Sequence, residues 1–207
     1  MHLWLTIKIL IFIIIIPNQM KDIQLETKRL SFKTITPQFI TQVFNHHTKA
    51  EIIALLDVDE AGFERYQDMF SNGMETFQLS FLYFFLIEKE SNQIIGECGF
   101  HTWNKKHSRA ELFYSLKKDD HKQKGYMTEA IAEVLKFGFE QMNLHRIEAL
   151  IADWNVPSLK LVDKYGFVRE GVMREDYFYE GKHEDSICFS LLKKDWLSKQ
   201  ENQSFQL

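Results

Sequence analysis

Between Arg109 and Met142 the chain sets a strand-like segment (RAELFYSL, 109–116), a short polar loop, a glycine and a long helical segment in immediate succession. Such a succession makes an anion site by construction. The first N–H groups of a helix have no intrahelical acceptor, and the helix dipole adds about half a positive charge at that end. The residues that would cradle a phosphate are Lys122, Gln123, Lys124, Gly125, Tyr126, Met127 and Thr128. Gly125 lets backbone approach a phosphate without a Cβ in the way, and Lys122 and Lys124 add charge. Read alone, the same pattern also describes an ordinary helix start with a glycine in its loop. A second polar constellation opens a shorter helix: Asn155 is placed to cap it, and Ser158 lies in its first turn. The histidines suggest no metal chemistry. His46 and His47 are adjacent, which is not a ligand spacing, and His145 sits on a strand; His121 lies at the mouth of the phosphate loop.

The elements that must hold these groups follow from hydrophobic period. Residues 28–35 alternate as a strand, and Thr36-Pro37 starts a helix with Thr36 as cap and proline in the first turn. Residues 49–71 continue helical. Ser80–Ile87 (SFLYFFLI) is a continuous apolar run of strand length, which predicts burial on both faces. Gln93–His101 and Arg109–Leu116 read as a hairpin. From Lys124 to Met142 the period changes to that of a helix with one buried face. Arg146–Ala152 is a strand, Pro157–Lys164 a short helix stopped by Gly166, and Phe167–Glu170 and Asp185–Leu192 are the last strands. The order β-α-α-β-β-β-α-β-α-β-β predicts an α/β fold: one domain with a mixed central sheet flanked by helices.

Composition narrows the class. A hydrophobic share of 45% with 26% charged residues is that of a folded globular chain. The net charge of −4 carries no nucleic-acid footprint. The 18 phenylalanines point to a ring-packed core, with an aromatic-lined pocket as the alternative. Cys98 and Cys188, both on strand-like segments, read as reduced core thiols of a cytoplasmic protein, with a disulfide between neighbouring strands left open. Leu3–Ile16 is apolar except for Thr6 and Lys8 and is shorter than the roughly 20 residues of a membrane span. Residues 1–20 therefore form a separate apolar segment with three readings: a start truly at Met20, a membrane-associated N-terminus, or a signal sequence without a good cleavage site. Residues 23–195 make the domain, and 198–207 a polar tail.

Within that domain the chain resembles the GNAT N-acetyltransferase superfamily, and in particular its ribosomal-protein-alanine acetyltransferase branch (RimJ/RimL-type). The family's phosphate loop reads Gln/Arg-x-x-Gly-x-Gly/Ala. Residues 123–130 (QKGYMTEA) nearly match the branch's GKGYMTEA, with Lys122 replacing the usual Gln/Arg and Met127 a small residue. IIGECGF (94–100), RAELFYSL (109–116), LHRIEA (144–149), NVPSLKLVDKYGFVREGVMRE (155–175) and GKHEDSICFSLL (181–192) are similar to family segments in the same order.

The resemblance implies direct attack of a primary amine on the thioester of acetyl-CoA, with no metal. An alkylammonium has a pKa of about 10, so a base must take its proton. The resemblance puts that base at Glu111; Glu97, Glu175 and Asp176 are the alternatives, because the branch's own catalytic Glu falls at Tyr177 here. It puts the acid at Ser158. A tyrosine acid found in many members falls at Val162, and Tyr165 reads as a packing residue. Asn155 also reaches the pantetheine arm in the family reading. The implied acceptor is a protein N-terminus of the ribosomal-protein type or, alternatively, a small amine such as a polyamine or aminoglycoside. Monomer and homodimer both stay open. A non-catalytic acyl-CoA-binding module, with the loop kept and the base and acid lost, is the rival of another class.

Overall fold

The structure, a computed structural model, describes residues 23–204. The apolar segment Leu3–Ile16 and Met20 lie outside the described residues; among those described, no helix is long and apolar enough to cross a membrane. The elements run β1 (Leu25–Glu26), β2 (Leu30–Ile35), α1 (Pro37–His46), α2 (Lys49–Leu56), α3 (Glu60–Asn72), β3 (Leu79–Glu88), β4 (Gln93–Asn104), β5 (Arg109–Leu116), α4 (Tyr126–Glu140), β6 (Arg146–Ile151), α5 (Val156–Tyr165), β7 (Val168–Tyr179), β8 (Lys182–Leu192) and α6 (Lys193–Ser204). The strands form one eight-stranded mixed sheet in the order β1-β2-β3-β4-β5-β6-β8-β7. This is the predicted α/β domain.

Beyond the added two-residue strand β1, three departures from the expected elements have identifiable causes. The helical stretch 49–71 breaks in two because Asp57 turns left-handed (φ 51°) and Asp59 caps a new helix by accepting from Gly62 N. The strand expected over Phe167–Glu170 extends as far as Tyr179, and with β8 it makes a long hairpin turned at Gly181 (φ 86°). Of the polar tail expected over 198–207, residues 198–204 belong to α6 and the rest lie outside the described residues; Trp196 of this helix is buried against Phe139 with ring centroids 5.3 Å apart. One tryptophan among polar residues gives no periodic signal, yet burying it anchors the helix by about 1.5–3 kcal/mol.

The sheet separates two cores. Phe84 and Leu86 of β3 join Phe100, Leu112 and the inner face of α4 (Ile131, Val134, Leu135, Phe139) on one side. Phe81 and Phe85 join Ile40, Val43, Ile52, Leu56, Phe63 and Tyr66 of α1–α3 on the other. That is why the β3 run is apolar without alternation. Helix α4 reaches the sheet through Gly138, where a Cβ would lie 2.7 Å from Phe100 Cζ. The 18-phenylalanine composition is explained largely by these two ring-filled layers. Cys98 and Cys188 are both free thiols, on strands separated by β5 and β6.

Candidate active site

Strands β5 and β6 pair in parallel over only three positions: Arg109 with Arg146, Ala110 with Ile147 and Glu111 with Glu148. Beyond Glu111, β5 continues to Leu116 and β6 to Ile151 with no ladder between them. The strands fork. Backbone groups along the inner edges of a fork are free to bond an extended ligand as an added strand would.

Glu111 stands at the crotch of this fork. Alternation along β5 buries Ala110 and Leu112 on the α4 face and turns Glu111 to the α1–α3 face. Burial pushes its carboxyl up to about 7. The Thr102 hydroxyl, 3.3 Å from Oε2, opposes that rise, and the charges of Glu148 and Asp176 reinforce it. His101 Nε2 lies 3.5 Å from Oε1, and burial holds this imidazole below its usual range, so it is neutral near pH 7. A carboxyl pushed up toward neutrality at the last paired position of a forking strand pair is suited to taking a proton.

The other carboxylate candidates are placed differently. Glu97 lies on the same face but is 4% exposed, and it is fully engaged: Arg65 Nη2 donates to both oxygens (2.9 and 3.0 Å) and Tyr66 Oη to Oε1 (2.9 Å). Burial drives the Tyr66 hydroxyl far above its ordinary range, so it stays a donor. Glu175 and Asp176 are exposed on β7, at a bulge where Glu175 is left-handed (φ 53°) and its N–H donates to Asp185 Oδ1 (2.8 Å). Asp176 reaches Glu111 only as a neighbouring charge.

Below the fork, on the α4 face, lies α5. Asn155 caps it by accepting from Ser158 N at 3.3 Å, and Ser158 itself is 9% exposed. The Tyr165 hydroxyl donates to the Thr128 carbonyl, which ties the end of α5 to the first turn of α4. Val162 is buried in the core, where the family's tyrosine acid would stand.

The loop before α4 has the shape of a phosphate cradle. Gln123 (φ 60°) and Gly125 (φ 78°) are both left-handed, and no side chain caps the helix. Lys122 pairs with Asp119 at 2.6 Å, while Lys124 offers its carbonyl to Arg29 Nη1 (2.9 Å). Arg29 is the clamp the sequence did not disclose. Its Nε donates to Glu129 Oε2 (2.7 Å), its backbone N–H to Glu129 Oε1 (2.8 Å), and its Cζ lies 4.3 Å from the Tyr126 ring centre. Burial raises the Glu129 carboxyl, but the Thr27 hydroxyl and the Arg29 donors overcome it and hold the pKa below its usual value. Only tertiary structure brings the β1–β2 turn to a loop about a hundred residues away. An open cavity of about 960 Å³ also escaped the sequence, because widely separated segments line it. It lies between α2–α3 and the sheet, with Glu97, Ser115, Lys117 and His121 in its wall.

Comparison with known proteins agrees with this geometry. Residues 29–168 match the family model of the acetyltransferase (GNAT) domain. An uncharacterised N-acetyltransferase, p20, of Bacillus licheniformis is 38% identical over 55% of this chain and 63% of its own length. Another, YoaA of Bacillus subtilis (strain 168), is 30% identical over 82% of this chain and 96% of its own. Two solved structures share the fold. A ribosomal-protein-S5-alanine acetyltransferase from Vibrio fischeri has TM-score 0.61 at 22% identity, over 84% of this chain and 99% of its own. A mutant form of the spermidine/spermine N-acetyltransferase SpeG from Vibrio cholerae has TM-score 0.61 at 19% identity, over 83% and 99%.

Proposed function

The chain belongs to the GNAT acetyltransferase family, and on that premise we propose that it transfers the acetyl group of acetyl-CoA to the primary amine of a protein N-terminus, with Glu111 as base and Ser158 as donor to the leaving sulfur. The observation that carries the reading is the fork: the strand pair opens immediately after the one carboxylate poised to titrate near neutrality.

The residues present fit acetyl-CoA. The uncapped start of α4, with left-handed Gln123 and Gly125, leaves N–H groups for a pyrophosphate at 122–128, and Arg29 ties that loop through the Lys124 carbonyl. The unpaired edges of β5 and β6 suit an extended amide-bearing arm, and Asn155 caps α5 just past the end of β6. Acetyl-CoA supplies an activated acyl group on a thiol leaving group. Glu111 takes the proton of the incoming ammonium; a carboxylate near 7 is a matched acceptor because half of it is ionised there and it gives the proton back readily. Neutral His101 adds no competing cation. Ser158 offers a buried hydroxyl in the first turn of α5.

The charge balance at the fork favours an N-terminus over a polyamine. Glu148 is taken up by Arg109 (2.9 Å) and Arg146 (2.8 Å), and Arg146 also grips Glu170. That leaves Glu111 and Asp176 to attract a cation, enough for one ammonium. The test is a panel: peptides with an N-terminal alanine against spermidine and an aminoglycoside, with acetyl-CoA, following thiol release. Release with peptides at a higher kcat/KM than with any small amine is expected. Faster turnover of spermidine would replace the acceptor, and no release with any amine despite CoA binding would favour a non-catalytic acyl-CoA-binding module.

A further inference from the structure

Among the described residues, three buried side-chain polar atoms lack a hydrogen-bond partner: Tyr114 Oη, His121 Nδ1 and Tyr177 Oη. A buried hydroxyl left unpaired is costly, so native proteins rarely keep one without a use. Tyr114 is on the forked part of β5, where register pairs it with Cys98 of β4 and nothing pairs it on the β6 side. Its ring packs into the core that contains α4 and α5. The neighbouring polar group is the hydroxyl of Ser158, which bears on the tyrosine's ionisation without closing a well-formed hydrogen bond; burial, the larger influence, raises that pKa and keeps the phenol protonated. The other tyrosines on this side, Tyr126 and Tyr165, have already spent their hydroxyls on Glu88 and on the Thr128 carbonyl.

We propose that Tyr114 is a second catalytic hydroxyl, which with Ser158 donates a hydrogen bond to the departing sulfur of CoA. This rests on the acetyl-transfer reading above. In the step, the amine nitrogen bonds to the acetyl carbon, the carbon–sulfur bond breaks, and its electron pair stays on sulfur. The ammonium's first proton, taken by Glu111, passes on to solvent before attack, and Glu111 then takes the second proton, shed by nitrogen as the carbon–sulfur bond breaks. Tyr114 and Ser158 keep their protons and share them with the thiolate, which is protonated by solvent after release. A phenol is a weaker acid than a thiol (reference values about 10 and 8.5), so donation without transfer is the favoured role. The hydroxyl on β5 thus supplies a donor that the valine at position 162 cannot.

Tyr114→Phe removes the hydroxyl alone, and two readouts besides turnover decide. The first is binding of CoA against desulfo-CoA, which lacks the thiol, by calorimetry at about pH 9, where the thiol is largely ionised. Wild type is expected to prefer CoA by about tenfold, as one hydrogen bond to a charged sulfur warrants, and Tyr114→Phe to bind the two within twofold. The second is the melting temperature of the free protein, which Tyr114→Phe should leave unchanged or raise, because it deletes an unpaired buried group. With acetyl-CoA and the best acceptor, kcat should fall tenfold or more. A Tyr114→Phe protein that keeps the full preference for CoA, or that melts lower or fails to fold, overturns the proposal, since the hydroxyl is then idle or structural. If wild type itself binds no CoA, the acetyl-transfer reading falls as well; if it binds CoA and only the preference test fails, this inference alone falls.

Discussion

Glu97 and Glu111 sit on the same face of the same sheet, one strand apart, and are both removed from water, yet they live in opposite regimes. Glu97 is the more deeply buried, and it is matched by a guanidinium and a phenol that satisfy both oxygens. Glu111 has one long hydroxyl contact, a neutral histidine and two like charges for company, and its carboxyl is pushed up to about 7. Burial alone does not make a reactive carboxyl; what decides is whether the fold supplies partners for the charge. Around α3 it does. At the β5–β6 fork it does not.

The sharpest test of that contrast is Glu111→Gln. Loss of a general base costs roughly a hundred- to ten-thousand-fold in kcat, and CoA affinity should stay within a few-fold. A loss under tenfold in steady-state turnover would move the base elsewhere. Next in size, Glu97→Gln should strip the partners of Arg65 and Tyr66. Removing one member of a buried pair costs about 3–5 kcal/mol, and because the Arg65 side chain is 45% exposed, about 2–3 kcal/mol is expected by urea denaturation. Unchanged stability would mean the pair is no keystone of the α3 contact.

At pH 8 the two neutralising variants should change stability in opposite directions. Folding raises the Glu111 pKa from an ordinary 4.5 to about 7, so between those values the folded state holds more protons than the unfolded one. The Glu111 contribution is full below the unfolded value and is lost as pH rises through 7. Glu111→Gln, neutral throughout, should therefore be more stable than wild type at pH 8, where Glu97→Gln is less stable. A lower melting temperature for Glu111→Gln at pH 8 would contradict the desolvated carboxyl. Turnover should rise tenfold per pH unit up to about 7 and then level. The smallest effects concern that acid limb. Asp176→Asn removes a like charge and should shift it to lower pH, whereas Thr102→Ala removes the one hydroxyl contact and should shift it to higher pH. Shifts in one common direction would break the assignment of Glu111 to the limb.

The same distinction explains what was legible in the residues. The β3 run, the proline-started α1, the amphipathic α4 and the glycine-stopped α5 are written locally, because period, caps and left-handed turns depend on residues a few positions apart. So is the loop 122–128, whose left-handed Gly125 opens α4 where the spacing predicts. The side of the sheet taken by Glu111 follows from strand alternation as well. Illegible were Arg29, which comes from the β1–β2 turn; the polar partners of Glu97, which come from α3; and Trp196, which holds a helix of otherwise polar residues.

By itself, then, the sequence determined the α/β class, the left-handed glycine turn before α4 and the family resemblance, since each is a matter of residue type at short spacing. Tertiary structure alone decided where β5 and β6 part, which of two neighbouring glutamates has its charge answered, and that a tyrosine hydroxyl at position 114 lies beside Ser158. Desolvation and pairing are properties of what surrounds a group in space, and the chain brings those surroundings from segments tens of residues away.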